Sequence, residues 1–537
     1  MRVRADIITA MVLGILFLGI CVLTVPENHS EADNAFHYAW NVEKAPVAET
    51  LHRHHLLYIP LAKAVHAGAR LFSADVRAYP VMIALSMIAG AIALAFLFLT
   101  LRRHLGFSSD VSFFSVGLIG ASYGFWRYAC EAEIPVVAAA PLAIAIFILT
   151  CPRINALGVL GAAVAAAAAV MLHILALIPA LLALPALLMG RGRRASLLIY
   201  LLLLMALIVA GYTIADTSPF AEAAHSQSEY GDVRLTVQGP SALGNAALGF
   251  GRALLSGNYL FCLHPFREFL VRVFSHRLLR EELLIGVHAG ATSVVLPLVI
   301  LLLLGLVGIF VADDRLNPHT RDKEEDTPPP PHPFAAIRHV ALIAMAIWFI
   351  VHSLFLLGHE PANPENWILV CVPFWLGIIL MWARDRRGIP PQALGTLFIL
   401  LLLHNYFGGM HLVADEASDY NRRSSQWAID HVRTGDAILT NETPAYCWYL
   451  RYHTPAQVIW LPHTESLPEL VESLHTVRRQ GGHVLATPDV FPVTSGWQHG
   501  SPCETENVIR TRKALRPLFV PVSRNRFGMV WLFRPEN

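Results

Sequence analysis

The chain has 537 residues, 55% hydrophobic and only 15% charged, with a mean hydropathy of +0.51, whereas a soluble protein carries about a quarter charged residues. Its 40 Lys and Arg balance 39 Asp and Glu to a net charge of +1, so the electrostatic footprint of a nucleic-acid partner is absent. Seven cysteines without CxxC or regular spacing exclude a disulfide framework, a zinc ribbon and an iron–sulfur protein, leaving only a pairing of Cys447 with Cys503 open in an oxidising compartment.

What remains is a polytopic α-helical membrane protein. A bilayer core of about 30 Å needs about 20 apolar residues per helical crossing, because lipid offers no partner to an unpaired amide. The first run, roughly Ile7 to Val25, follows Met-Arg-Val-Arg and has no small-residue cleavage site before Pro26, so it reads as a retained signal anchor. Further runs lie roughly at Tyr79–Leu101, Val111–Trp126, Ile134–Cys151, Ala156–Met171, Ile174–Met189 and Ala195–Asp216. After a long break come Val287–Val311, Val340–Leu357, Trp367–Trp382 and Ala393–Phe407, for about 11 crossings in all. The Ala/Leu stretch Asn155–Gly190 would be about 54 Å as one helix, too long for one crossing, so a turn is expected at His173 or Pro179.

Short loops carrying Arg102/Arg103, Arg153, Arg191/Arg193/Arg194, Arg315/Arg321/Lys323 and Arg384/Arg386/Arg387 alternate with basic-poor ones, which puts the N-terminus in the cytoplasm. The long segments 26–77 and 217–284 and the C-terminal tail then fall outside. Residues 1–414 are read as the bundle, with a charged, polyproline cytoplasmic linker at 312–338. Residues 415–537 are read as a small extracytoplasmic α/β domain. Its short apolar runs at 437–440, 457–461 and 483–486 alternate with helical stretches around 444–452 and 467–479. No GxGxxG, GxxxxGK[ST] or GxSxG occurs in that tail. Ile59–Phe72 and Pro265–Leu279 mix apolar and charged residues at helical spacing and read as interfacial helices, or as helices packed on the bundle rim. In the second, Phe266, Phe269, Leu270, Val273, Phe274 and Leu278 oppose Arg267, Glu268, Arg272 and His276.

Ionisable groups beside a membrane interior are costly and mark candidate function. One cluster, Glu31-Ala-Asp33 followed by His37, lies just beyond the first run. Another, FWRYACEAEIP, holds Trp126, Arg127, Glu131 and Glu133 at the outer end of the third. Between them, carboxylates would accept a proton while Arg53 or Arg127 holds an anion. The bland readings are a solvated loop and a hydrated helix end. His52, His54 and His55 with nearby acids are ligand types that suit Zn or Mn, but they share no helix face and no HExxH occurs, so an interface-anchoring loop competes with a metal site. His173 fits a bundle histidine better than a ligand.

Taken together, the first-loop acid, the HRHHLLYIPL stretch about 20 residues later, the FWRYACEAEIP element and the α/β tail resemble the GT-C superfamily of membrane glycosyltransferases, most closely its protein O-mannosyltransferase-like members. The resemblance implies a polyprenyl-phosphate-linked sugar as donor, a protein, glycan or lipid acceptor, and inverting transfer. By it Asp33 is the general base, Glu31 and Glu133 are further catalytic acids, and Arg53, His54, His55, Trp126 and Arg127 bind the donor phosphate or substrate. A divalent ion is the cofactor it leaves open. The sequence departs from the family pattern with Leu-Leu-Tyr where prolines are expected and Ile-Pro where Val-Tyr is expected. The Ala/Leu/Arg-rich composition points to a bacterial inner membrane. A transporter or lipid-linked-sugar flippase is the rival reading, which calls for mid-membrane acids and two similar halves; an assembly scaffold is the third.

Overall fold

The structure is a computed structural model that describes residues 2–32, 34–190, 192–215, 239–274, 280–316, 334–383, 390–464, 466–491, 506–525 and 528–534. Asp33, Arg191, His276, Leu278, most of the polyproline linker, Arg384, Arg386, Arg387 and Cys503 lie outside the described residues.

The first half of the bundle comprises α1 (Arg2–Leu23), α2 (Ala35–Lys44), α3 (Tyr58–Arg70), α4 (Ala78–Leu99), α5 (Ser109–Ala121), α6 (Tyr123–Ala129), α7 (Ile134–Thr150), α8 (Ala156–Leu172), α9 (Leu184–Met189) and α10 (Arg194–Ile214). The second half comprises α11 (Gly239–Leu254), α12 (His264–Phe274), α13 (Arg280–His288), α14 (Thr292–Leu316), α15 (Ala335–Gly358), α16 (Ile368–Trp382), α17 (Pro391–Asn405) and α18 (His411–Val413).

Helix covers every expected crossing, but among the described residues only six helices are long and apolar enough to span a membrane, or up to eight if each of two bent pairs is one span. These account for six to eight of the 11 crossings expected. The segments Ser109–Ala121, Ala156–Leu172 and Ile174–Met189 are shorter apolar helices of 10–17 residues. The expected run Val111–Trp126 breaks at Ser122, whose ψ of 132° leaves the helical region. The long Ala/Leu run stops at His173, which is extended at φ −150°, ψ 118°.

Position in the bundle follows composition. Helix α4 is largely buried against α1 and α7, and Gly90 lets α1 approach, since a Cβ there would come within 2.9 Å of the Phe17 ring. Helices α1 and α10 sit at the rim and turn Ile8, Met11, Ile15, Leu198 and Leu202 outward, as lipid-facing surfaces do. Helix α3 buries Tyr58, Ile59, Ala62 and His66 while Leu71 and Phe72 project at its end, and Lys63 Nζ closes the end of α2 by donating to the carbonyls of Val42 and Ala45 at 2.9 and 2.7 Å. The stripe expected on α12 is split, with Leu270 buried and Phe269 and Val273 exposed.

The tail contains α19 (Tyr420–His431), β1 (Ala437–Thr440), α20 (Pro444–His453), β2 (Gln457–Trp460), α21 (Leu467–Arg479), β3 (Val484–Ala486), α22 (Glu506–Leu515), β4 (Phe519–Asn525) and β5 (Gly528–Phe533). One five-stranded sheet has the order β2-β1-β3-β5-β4, parallel among β1–β3 and antiparallel where β5 meets β3 and β4. Alternation along β1 sends Ala437 and Leu439 to a core with α21 and α22, and Ile438 to one with α19 and α20. Helix α20 also turns Trp448, Tyr449 and Tyr452 into the main bundle core, where it packs on α2.

Candidate functional site

The acids of FWRYACEAEIP stand at a break in the chain. Helix α6 ends at Ala129, and α7 restarts with Glu133 as an extended N-cap and Pro135 in its first turn, where a missing N–H costs nothing. The two helices meet at 106°. Arg127, Glu131 and Glu133 are all 0% exposed, and charges so placed persist only when paired and hydrogen-bonded.

The pairing is dense. Arg127 Nη1 lies 2.5 Å from Glu131 Oε1 one turn later, Nη2 donates to the Asn28 carbonyl at 2.9 Å, and Nε forms an ion pair with Glu31 Oε2 at 3.3 Å. Glu131 Oε1 also lies 2.9 Å from His29 Nδ1, and its Oε2 accepts from the Tyr79 hydroxyl, which is itself 2.7 Å from His29 Nδ1. Glu31 takes Tyr123 OH at 2.7 Å and Asn258 Nδ2 at 3.0 Å, with Arg252 Nη2 at 3.6 Å. Arg252 in turn holds Glu282 at 3.0 Å. Two guanidiniums thus serve the three carboxylates of Glu31, Glu131 and Glu282. Glu133 faces the start of α2, its Oε1 accepting the Asn34 amide at 3.3 Å, one residue beyond position 33.

Neighbouring elements fix this geometry. The indole of Trp126 is buried and donates to Thr24 Oγ1 at 2.9 Å. Asn405 ties the ends of α5 and α11 together, donating to the carbonyls of Ala121 and Leu254 at 2.7 and 2.8 Å and accepting from the Ser256 amide at 2.9 Å. A π-turn at Tyr406–Met410 follows, and Gly409 passes so close beneath Tyr123 that a Cβ would lie 2.3 Å from its ring.

The histidine stretch forms a second group. Arg53 Nε donates to His54 Nε2 at 3.0 Å, Tyr212 OH donates to the Arg53 carbonyl at 2.7 Å, and the Ile174 amide donates to the His54 carbonyl at 2.9 Å, docking the loop on the break after α8. The rings of His52 and His55 stack at 4.4 Å, and His55 meets Tyr38 of α2 edge-on at 5.0 Å. Burial, reinforced by His52, Arg53 and His359, lowers His54 to about 4, and burial holds His55 well below the usual histidine range. His37 is lowered to about 4 by burial, then by His52 and Arg451, and stacks on Trp448 of α20 at 4.1 Å. Among the described residues no group of three or more His, Cys, Asp or Glu could hold a metal ion.

Of the residues singled out from sequence, Glu31, Trp126, Arg127 and Glu133 converge on the break, Arg53, His54 and His55 gather at the other group, and Asp33 lies outside the described residues. Helix α2 runs between the groups, with Asn34 at Glu133 and Tyr38 at His55. Sequence reading assigned no role to His29, Tyr79, Tyr123, Arg252, Asn258 or Asn405. Of these only His29 carried a signal, as an ionisable residue at the expected membrane edge.

No family model matches the sequence, and no curated protein matches it. Two solved structures of ArnT from Cupriavidus metallidurans are similar: the apo state at 12% identity, covering 96% of this chain and 97% of that one with a TM-score of 0.50, and the form bound to undecaprenyl phosphate at 11% identity with the same coverage and a TM-score of 0.48. At this identity the likeness speaks to the fold alone, which is that of apo ArnT.

Proposed function

We propose that the protein is a membrane glycosyltransferase that moves a sugar from a polyprenyl-phosphate donor to an acceptor hydroxyl, with the site and the tail domain on the extracytoplasmic face. The observation that carries this reading is the convergence of Glu31, Arg127 and Glu133 around the start of α2. It accompanies a bundle with the fold of apo ArnT. A polyprenyl phosphate is already a good leaving group, so the reaction needs no nucleotide.

In this reading Asp33 takes the proton of the acceptor hydroxyl as its oxygen attacks the anomeric carbon. The bond to the departing phosphate breaks with inversion. Arg127 donates to Glu131 and to the Asn28 carbonyl and is ion-paired with Glu31, so its part is to hold the first loop. The phosphate is left to Arg53 and the neutral imidazoles of His54 and His55. Glu133, beside the start of α2, orients the acceptor. The likeness to O-mannosyltransferase-like members makes mannose the first sugar to try, and a bacterial inner membrane the first location.

The test is transfer from a panel of radiolabelled polyprenyl-phosphate sugars by reconstituted protein, with undecaprenyl phosphate, the ligand named for ArnT, as the carrier. The wild type should transfer at least one sugar, and Asp33→Asn should fold normally and lose transfer by at least about 100-fold. Near-normal transfer by that variant would reject the base. Movement of the lipid across vesicles without transfer would favour the flippase.

A further inference from the structure

The loop that carries the first-loop acids is held from the tail as well as from the bundle. On the bundle side, Arg127 takes the Asn28 carbonyl at 2.9 Å and Glu131 takes His29 at 2.9 Å. The end of the bundle adds the Val413 carbonyl, which accepts from the amides of Glu27 and Asn28 at 3.1 and 2.9 Å, and from the tail Ser418 Oγ accepts from Asn28 Nδ2 at 2.7 Å and Asp419 Oδ2 from the His29 amide at 3.1 Å. Asp419 and Ser418 are 0% exposed although they lie where the tail begins. The same Asp419 carboxylate caps α19, its Oδ1 accepting the Arg422 amide at 3.0 Å. One buried side chain thus joins the first helix of the α/β domain to the backbone two residues before Glu31.

We infer that Asp419 is a positioning residue through which the tail domain sets the acid-bearing loop in register with the broken helix. The inference rests on the transferase reading and deepens it, because it assigns the tail a part in the same site. The arrangement has the form such a task requires. An N-cap needs one acceptor oxygen, which Oδ1 supplies, and Oδ2 is spent on the loop. Asn28 is bridged in the same way, its side chain bound to Ser418 and its carbonyl to Arg127. Small errors in the placement of reacting groups are costly in rate, of order 10- to 100-fold for about 1 Å.

The substitution that separates capping from positioning is Asp419→Ser, since serine caps a helix about as well as aspartate but its single short oxygen cannot also reach His29. Hydrogen exchange on the full-length protein in lipid nanodiscs should accelerate at residues 27–32 by at least about tenfold in this variant and stay unchanged in α19, β1 and α20. Transfer measured with the best donor of the panel should lose about 10-fold or more in kcat with KM for the donor unchanged. Ser418→Ala should give a smaller change of the same kind, and Asp419→Asn, which keeps one acceptor oxygen, should fall between wild type and Asp419→Ser. Unaltered exchange at 27–32 in Asp419→Ser overturns the inference whatever the activity, as does accelerated exchange with unchanged kcat. A wild type that transfers no sugar would instead remove the transferase reading and, with it, the inference that depends on it.

Discussion

The two polar groups on either side of α2 solve the burial of ionisable residues in opposite ways. At the break between α6 and α7, charge is kept and answered with opposite charge, as Arg127 and Arg252 are laced to Glu31, Glu131 and Glu282. At the histidine stretch charge is given up: His37, His54 and His55 are held in the neutral form by burial and by one another. The first strategy yields rigidity, since any missing partner strands an ion. The second yields neutral N–H groups and ring nitrogens that can meet a ligand without first breaking an ion pair.

The contrast breaks most sharply at Arg127. Arg127→Met keeps the volume but leaves Glu131 and Glu31 without their central counter-charge, and should cost about 3–5 kcal/mol of stability, read as a large fall in Tm in detergent. A Tm within about a degree of wild type would mean that the ion cluster is not what holds the break. The histidine group is sharpened by pH. These side chains titrate near 6.5 when unfolded but at about 4 in the fold for His37 and His54, so between those values the unfolded chain binds more protons. Stability therefore rises with pH across that window and is lost as pH falls through it. Thermal unfolding from pH 7 to 4.5 should show the decline, and His54→Gln should flatten it; an unchanged slope would mean that His54 is charged in the fold. The smallest effect is expected at Trp126→Phe, which removes one buried hydrogen bond to Thr24 and should cost about 0.5–1.5 kcal/mol.

Much of this was legible in the residues, though unevenly. Acids flanking a Pro-started apolar run marked the edge of the bundle, and Arg127 and Glu131, one helical turn apart, were bound to share a face. What composition could not reveal is that the helix breaks at Ser122 and that α6 and α7 then meet at 106°, because a broken apolar run and a continuous one have the same hydropathy. Arg252 and Asn258 stayed hidden because they lie at the end of a helix and in the turn after it, within a segment of mixed composition, and reach Glu31 only through tertiary packing. In the tail, β1 to β3 were readable as short apolar runs, whereas the β4–β5 hairpin was not: Pro521 and the irregular register between Pro521 and Ser523 disguise an edge strand.

The bend between α6 and α7 also governs what the gene can tolerate. Each residue of an α-helix advances the next by about 100° of azimuth, and Cys130 and Glu131 still make helix-like bonds back to Trp126, Arg127 and Tyr128. Adding or deleting a single residue between Arg127 and Glu131 would swing that carboxylate toward the wrong neighbours while leaving composition and hydropathy almost untouched. Length variation should therefore be confined to segments such as the polyproline stretch, and the four-residue step from Arg127 to Glu131 should be a fixed phase in any functional relative.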